Sequence, residues 1–280
     1  MIILADSGST KTDWCLLDGA KVERVRTAGM NPYFQSEEEM VQTLQTQLLP
    51  AVTDAKAVKA VYFYGAGCAS AAVNEKVARA IAHSFPVSME VQSDLMAAAR
   101  ALCGRESGIA CIMGTGSNSC AYDGKQITAH VPPMGYILGD EGSGAVLGKL
   151  LVGDVVKHQL PVSVEEAFYQ ETGLSESAIL EKVYRQPFPN RFLASLVPFL
   201  KAHIEVSAVQ QLVERSFEAF FVRNIAAYQP EAGSAVHFVG SIAYHFQSQL
   251  RRVAEAQGLR IGRIMQSPME GLIQYHTFFE

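Results

Sequence analysis

The pattern of apolar and polar positions at the start of the chain predicts a β-hairpin. Residues 2–5 are an apolar run of the kind that forms a buried strand, and residues 14–17 are a second such run, closed by the turn pair Asp18-Gly19. Small residues let backbone amides approach an anion closely, and a lysine adds positive charge. The connection is therefore either a phosphate-binding loop or an ordinary polar turn. It consists of Asp6, Ser7, Gly8, Ser9, Thr10, Lys11 and Thr12.

A second copy of this plan begins a little over a hundred residues later. An apolar run over residues 109–113 precedes a polar stretch over residues 114–119, and Cys120-Ala121-Tyr122 leads into the turn Asp123-Gly124. This spacing is too long for a solenoid repeat. It suits two similar domains that face each other across a cleft, each with one phosphate loop. We expect residues 1–112 to form the first domain and residues 113–280 the second.

Strand and helix patterns alternate along the rest of the chain and predict an α/β fold. A capping box at Ser36 and Glu39 opens a helix that reaches about Leu49. Further strands are expected over residues 21–27, 57–64, 87–91, 126–131, 235–239 and 261–265. Further helices are expected over residues 74–85, 95–102, 145–158, 164–172, 175–184, 192–202, 206–228, 244–257 and 268–276, with a long loop over residues 132–144.

Asp94 lies between a predicted strand and a helix of small residues. Either Ser93 or Asp94 would make a good N-cap for that helix. Phosphoryl transfer to a hydroxyl also needs a carboxylate that accepts the proton, and ligands in α/β sheets bind at the carboxyl ends of strands. The two roles can coexist, because a cap would fix the rotamer of the base.

The other candidate site residues each have a structural interpretation beside the functional one. Asn31, held extended before Pro32, is either a turn residue or a ligand for a sugar hydroxyl. The acidic pair Asp140-Glu141 repels phosphate but suits sugar hydroxyls, and acidic residues at a helix start also complement its dipole. Residues 142–149 resemble a P-loop only superficially, because the glycine spacing is wrong and no Ser or Thr follows the lysine.

The polar segments resemble, in order, the motifs of a known superfamily. Asp6 to Thr12 and Gly114 to Ser117 are similar to the two phosphate loops of the actin, sugar-kinase and heat-shock-chaperone ATPases. Gly139-Asp140-Glu141-Gly142-Ser143-Gly144 narrows the resemblance to the group of N-acetylglucosamine kinase and the BadF/BadG/BcrA/BcrD-type ATPases. The resemblance covers nearly the whole chain. It implies two actin-like (ribonuclease H-like) domains with the nucleotide in the cleft between them.

The resemblance also implies a role for each matching residue. Asp94 would be the catalytic base, and Asp6 would hold Mg²⁺ through water. The sugar would be bound by Asn31, Gly65, Asp94, Gly135 and Asp140. ATP would be bound by Ser7, Gly8, Ser9, Thr10, Lys11, Gly114, Thr115, Gly116, Ser117, Gly240 and Ser241. The N-acetylglucosamine kinases carry Gly-Trp where this chain has Pro133-Met134, which leaves the identity of the sugar open.

Composition excludes several other classes. The 280 residues are 49% hydrophobic and 18% charged, as in a globular protein of one large or two ordinary domains. A formal net charge of −5 and the lack of a Lys/Arg-rich run argue against a nucleic-acid or anionic-membrane surface. No apolar run reaches about 18–20 residues, and no signal peptide is expected. The five cysteines, with no C-x-x-C spacing, predict reduced core residues of a cytoplasmic protein.

We therefore predict an ATP- and Mg²⁺-dependent kinase that phosphorylates an amino sugar, with N-acetylglucosamine at the 6-hydroxyl as the first candidate. One alternative is an ATPase activator of the BadF/BadG type that drives electron transfer. The other is a non-catalytic sensor of sugar or ATP on the same fold. The expected partner is a small-molecule sugar, with neither nucleic acid nor membrane, and a homodimer is left open.

Overall fold

The computed structural model describes residues 1–8, 10–19 and 21–277. The chain divides into two compact units. The first consists of Met1–Arg105 together with the C-terminal residues from Pro268, and the second is Glu106–Ser267. Among the described residues, no helix combines the length and the apolar character needed to cross a membrane.

In the described residues, ten strands form two sheets of five strands each. The strands are β1 (Ile2–Ser7), β2 (Lys11–Asp18), β3 (Lys21–Ala28), β4 (Ala60–Gly65), β5 (Ser88–Ser93), β6 (Gly108–Met113), β7 (Ser117–Tyr122), β8 (Ile127–His130), β9 (Ala235–Val239) and β10 (Arg260–Met265). The order in the first sheet is β3-β2-β1-β4-β5, and in the second it is β8-β7-β6-β9-β10. In each sheet an antiparallel hairpin supplies the central strand, which pairs in parallel with the fourth strand. The two sheets therefore share one topology, as the repeated sequence pattern predicts.

Helices cover and connect these strands. They are α1 (Glu37–Thr43), α2 (Ala71–Ala82), α3 (Asp94–Cys103), α4 (Gly135–Leu138), α5 (Gly144–Val156), α6 (Val162–Thr172), α7 (Glu176–Tyr184), α8 (Pro189–Ala194), α9 (Val197–Ala202), α10 (Ser207–Arg223), α11 (Ser241–His245), α12 (Gln247–Ala256) and α13 (Met269–Thr277). The capping box predicted for the first helix is present, since Ser36 and Glu39 cap each other's backbone. A π-helical turn over Leu44–Leu48 extends α1.

Each unit has its own apolar core. In the first unit Trp14, Phe63 and Phe85 are fully buried, and the indole Nε1 of Trp14 donates to Thr27 Oγ1 at 2.9 Å. In the second unit, phenylalanines of α10 pack on the central strands, with the rings of Phe221 and Phe238 6.1 Å apart. The α10 residues in this cluster include three phenylalanines, which the helical spacing of large apolar residues predicts to be core, namely Phe217, Phe220 and Phe221.

Several predicted boundaries differ from the structure. The boundary expected after residue 112 falls inside β6, whose pairing with β7 and β9 holds it in the second unit, and the chain divides instead after Arg105. The last helix, expected in the second domain, belongs to the first unit. The helices expected over 192–202 and 244–257 are each two shorter helices, and α4 forms within the expected loop.

Candidate functional site

The first polar connection is a tight turn between β1 and β2. The backbone N–H of Gly8 donates to the carbonyl oxygen of Lys11 at 2.9 Å, which closes the turn. Gly8, Thr10 and Lys11 are exposed to solvent, and ATP binding by them stays a prediction. Ser9, also predicted to bind ATP, lies outside the described residues.

Ser7 faces the other way and is almost fully buried. Its hydroxyl lies 2.7 Å from Thr12 Oγ1 and bonds both the carbonyl and the amide of Met30 at 3.1 Å. The side chain of Ser7 therefore braces the turn from inside the protein. A direct contact between Ser7 and phosphate stays a prediction.

Lys11 is held beside the turn by a three-residue charge cluster. Its Nζ lies 2.7 Å from Asp13 Oδ2, and Arg26 Nε lies 2.7 Å from Asp13 Oδ1. Burial alone would raise the pKa of Asp13, but the hydrogen bonds from Lys11 and Arg26 outweigh burial and hold this pKa below its ordinary value. Because Arg26 would keep Asp13 paired, Lys11 can exchange this partner for a phosphate oxygen.

Asp6 and Asp94 form the electrostatic centre of the first unit. Asp6 lies near the end of β1, and Asp94 is the first residue of α3. Burial raises the pKa of Asp6 to about 7, and the negative charges of Asp94 and Asp13 act in the same direction, whereas Lys11 opposes them. Burial likewise raises the pKa of Asp94, against the effect of backbone amides at the start of α3.

The cap of α3 is Ser93, whose hydroxyl accepts from Met96 N at 3.2 Å. The capping role therefore belongs to Ser93, and Asp94 keeps only the predicted role of proton acceptor. The Asp94 carboxylate instead accepts from the amides of Leu95 and of Asp94 itself. It is thus oriented by the helix terminus, and its raised pKa makes it a better proton acceptor than an ordinary aspartate.

The Asp6–Asp94 pair fits a hydrated divalent cation. Two carboxylates that repel each other in a partly buried site are stabilised by a nearby positive charge. Mg²⁺ is commonly held by one or two carboxylates and keeps several of its waters. The residues present therefore suit Mg²⁺ at Asp6, as the resemblance implies.

Asp6→Asn is expected to stabilise the metal-free protein at alkaline pH and not at acid pH. Because the pKa of Asp6 is about 7 in the folded protein against an ordinary 3.8, the folded state holds an extra proton between these values. The free energy of unfolding therefore falls as pH rises from about 4 to about 7. Each unit of pH in this window costs about 1.4 kcal/mol, a cost that Asn lacks. Urea denaturation in EDTA near pH 4 and near pH 8 measures the difference, and equal effects at both pH values would refute the prediction.

Two of the residues predicted to bind sugar, Asn31 and Gly65, belong to the first unit. Asn31 is 7% exposed, and its Oδ1 accepts from Tyr33 N at 3.0 Å. Gly67 adopts φ +87°, and a Cβ there would stand 2.8 Å from Asn31 Oδ1. A Cβ on Gly65 would stand 2.6 Å from the Phe63 ring. Close packing therefore requires glycine at both positions, against Asn31 at Gly67 and against Phe63 at Gly65.

The second polar connection is anchored to the start of α5. Gly114 N donates to Gly116 O at 2.9 Å within the turn. The amides of Gly144 and Ala145 donate to the carbonyls of Gly114 and Thr115 at 2.8 and 3.0 Å. Because these carbonyl oxygens accept hydrogen bonds from α5, their negative ends are turned toward the helix and do not repel an anion bound at the turn. The turn is therefore compatible with the phosphate binding predicted for it.

Asp140 lies directly against this second turn. Ser117 N donates to Asp140 Oδ1 at 3.3 Å, and a Cβ on Gly116 would stand 3.1 Å from Asp140 Oδ2. Asp140 adopts a left-handed backbone conformation with φ 55°, which is uncommon for a residue other than glycine. Burial raises the pKa of Asp140, and the amide of Ser117 opposes that effect. Strain of this kind often marks a functional site.

Glu141 has a different environment. Its carboxylate forms an ion pair with Arg223 and accepts from Asn224 Nδ2 at 3.3 Å. The cap of α5 is Ser143, so Glu141 stands before this helix rather than in its first turn. Glu141 therefore joins its loop to the C-terminal end of α10, which sequence analysis did not anticipate.

Gly135 opens an exposed turn that ends at Asp140. It adopts φ +72°, and its carbonyl accepts from Gly139 N at 2.7 Å. A Cβ on Gly139 would stand 2.1 Å from Pro133 O, so this turn requires glycine at that position. The apolar side chains of the turn are largely exposed. They are Met134, Ile137 and Leu138.

The Gly240-Ser241 turn follows β9 and begins α11. Gly240 adopts φ +128°, and a Cβ there would stand 2.3 Å from Met113 O and 3.2 Å from Gly114 N. The second unit thus brings the Gly114–Ser117 turn, Asp140 and Gly240 together. The first unit does the same for Asp6, Lys11 and Asp94.

Comparisons with known proteins identify a family and several similar structures. Residues 5–182 match the BadF/BadG/BcrA/BcrD ATPase family. A candidate N-acetylglucosamine kinase from Porphyromonas gingivalis is 50% identical, with 99% of this chain and 98% of that chain covered at a TM-score of 0.94. No curated protein gives a significant match.

Two more distant structures share the fold alone. One is a candidate N-acetylglucosamine kinase from Chromobacterium violaceum, at 18% identity, 98% coverage of both chains and a TM-score of 0.76. The other is a ROK family glucokinase from Streptomyces griseus in complex with glucose and AMPPNP, at 15% identity, 98% and 97% coverage and a TM-score of 0.58. The fold is accordingly that of the actin-like sugar kinases. Since the family match spans more than half of its length, the chain belongs to the BadF/BadG/BcrA/BcrD ATPase family.

Proposed function

We propose that the protein transfers the γ-phosphoryl group of ATP to a hydroxyl of an amino sugar, with the 6-hydroxyl of N-acetylglucosamine as the first acceptor. The observation that carries the proposal is the position of Asp94. This carboxylate follows the carboxyl end of β5, interacts with Asp6 beside the first polar turn, and has a raised pKa. The 50% identity to the P. gingivalis candidate kinase over almost the whole chain supports the same substrate class.

In the proposed reaction, Asp94 accepts the proton of the sugar hydroxyl as the oxygen attacks the γ-phosphorus. The bond from that phosphorus to the β,γ-bridging oxygen breaks, and ADP leaves with the electron pair. The helix terminus that fixes the Asp94 carboxylate aligns it for this transfer. Asp6 would hold Mg²⁺ through water, and the ion, when bound, neutralises charge on the phosphates.

We assign the remaining site residues by their local chemistry. Asn31 offers amide groups, and Asp140 a carboxylate, to sugar hydroxyls. Gly65, at the end of β4, and Gly135, which opens the turn before Asp140 with φ +72°, are assigned to the same sugar site. For ATP, the first unit offers Ser7, Gly8, Ser9, Thr10 and Lys11, and the second offers Gly114, Thr115, Gly116, Ser117, Gly240 and Ser241.

The test is ADP release from MgATP across a panel of amino and N-acetylamino sugars, beside a control without sugar. We expect release that depends on one sugar and equals the amount of sugar phosphate formed. ADP release that no sugar changes would refute the kinase proposal in favour of an ATPase activator. Omission of Mg²⁺ from the successful reaction is expected to abolish release.

A further inference from the structure

We infer that Arg223 and Asn224 are positioning residues that act through Glu141 on both Asp140 and the second phosphate loop. The inference rests on the proposed function, which assigns Asp140 to the sugar and Gly114–Ser117 to ATP. Arg223 ends α10 and Asn224 follows it, in a part of the sequence that shows only core and surface patterns. We call Glu141, Arg223 and Asn224 the acidic-loop clamp.

The clamp holds both oxygens of one enclosed carboxylate. Arg223 pairs with Glu141 Oε1, and Asn224 Nδ2 donates to Oε2 at 3.3 Å. The Glu141 side chain is only 15% exposed, whereas that of Arg223 is 61% exposed. A carboxylate removed from water to this extent needs partners for its charge, so α10 determines where Glu141 lies.

Hydrogen bonds of the backbone at and beside Glu141 connect this residue to Asp140 and to the second phosphate loop. Ser117 Oγ donates to the carbonyl oxygen of Glu141 at 2.8 Å, and Ser117 N donates to Asp140 Oδ1 at 3.3 Å. Gly142 N donates to Ser216 Oγ, also on α10, at 3.2 Å. The acidic loop is therefore fixed to α10 on one side and to the second phosphate loop on the other.

Asp140 requires such support because of its backbone. A left-handed conformation is unfavourable for aspartate relative to the right-handed one and persists when surrounding contacts hold it. Clamp contacts at the next residue supply that restraint. If the clamp opens, Asp140 can relax, and Ser117 loses two of its hydrogen-bond partners together. Both substrates should therefore be affected by one change far along the chain.

Arg223→Ala tests the clamp, with Arg215→Ala as its matched control. Arg215 is also an exposed arginine on α10 with one ion pair, to Asp154 at 3.2 Å, and it has no part in the clamp. We expect Arg223→Ala to lower kcat/KM for sugar and for ATP by about tenfold, because loss of geometry in a transition-state site acts on both. Arg215→Ala is expected to leave both unchanged. Arg223→Ala should also lower the melting temperature relative to Arg215→Ala, because it leaves the enclosed Glu141 carboxylate without its charged partner.

Two further measurements separate positioning from general support of the fold. Arg223→Lys, which keeps the charge, is expected to restore part of the activity, and Glu141→Gln combined with Arg223→Ala should lose little more than either alone. The affinity for MgATP without sugar tests the phosphate-loop half independently of the acceptor. If no sugar is phosphorylated but Arg223→Ala still weakens ATP binding, the proposed function fails and the clamp stands. Equal ATP affinity and equal kcat/KM in Arg223→Ala and Arg215→Ala would overturn the clamp.

Discussion

Asp94→Asn is expected to lower kcat for sugar phosphorylation by about 10³-fold, within the range that general-base catalysis contributes. Asparagine has nearly the same shape, and its Oδ1 can still accept from the Leu95 amide at the start of α3. It cannot accept the proton of the sugar hydroxyl. The affinity for MgATP should change far less than kcat, because the substitution removes a proton acceptor rather than a phosphate contact.

The fold of this variant should be intact. Burial raises the pKa of Asp94, so ionised Asp94 destabilises the folded state, and removing its charge should maintain or increase the free energy of unfolding. Asp123→Asn is the matched control, since Asp123 Oδ1 accepts from Lys125 N and Gln126 N in an exposed turn, and asparagine keeps that turn. Sugar phosphorylation by Asp94→Asn at the rate of this control would eliminate Asp94 as the base.

Local sequence patterns predict most of the sheets and both polar turns. The hairpins of β1–β2 and β6–β7 follow from apolar runs separated by small residues, and the cap of α1 follows from Ser36 and Glu39. These features depend on interactions between residues close in sequence, so periodicity and capping chemistry are sufficient. The equal topology of the two sheets follows from the repeat.

Long-range partners could not be predicted in this way. Tyr64 Oη lies 2.8 Å from His276 Nε2, 212 residues along the chain, and Arg100 Nη1 donates to the same oxygen at 2.7 Å. These contacts connect α13 to α3 in the first unit. Gly271 of α13 also packs so closely against the backbone of Ala101 in α3 that a side chain on Gly271 would overlap it. A helix pattern alone shows an apolar face but not which surface covers it. The Glu141–Arg223 ion pair could not be predicted either, because its two residues are also far apart in the sequence.

The helices expected over residues 192–202 and 244–257 are each interrupted for a local reason that the apolar pattern does not show. Pro198 stands in the first turn of α9, where proline is tolerated, but it could not donate within a continuous helix. Phe246, fully buried, lies between α11 and α12 with a non-helical ψ of 34°. In both places the hydrophobic periodicity continues across the break, so the sequence predicts one helix where packing produces two.

Gly148→Ala is expected to give the largest loss of stability, about 3 kcal/mol or more, at the upper end of what overpacking costs. A Cβ at Gly148 would stand 1.9 Å from Leu193 O and 2.5 Å from Leu193 C. These are backbone atoms, so no side-chain rotation relieves the overlap, and α5 and α8 must move apart. The glycine in the superficial P-loop pattern is thus a helix-packing residue.

Gly153→Ala, in the same helix, should have the opposite effect. Among the described residues, and apart from the adjoining residues and backbone of α5 itself, no atom lies within 4 Å of a Cβ at Gly153. Alanine there therefore gains helix propensity of about 0.8–1 kcal/mol without a clash. Urea denaturation of the two variants measures the contrast. Because Gly144 N and Ala145 N at the start of α5 bond the second phosphate loop, a displaced α5 should also weaken MgATP binding in Gly148→Ala. If the two variants are equally stable, α5 and α8 do not pack as closely as described, and the stability prediction is wrong. If Gly148→Ala is destabilised but binds MgATP with unchanged affinity, α8 moves while the start of α5 stays in place.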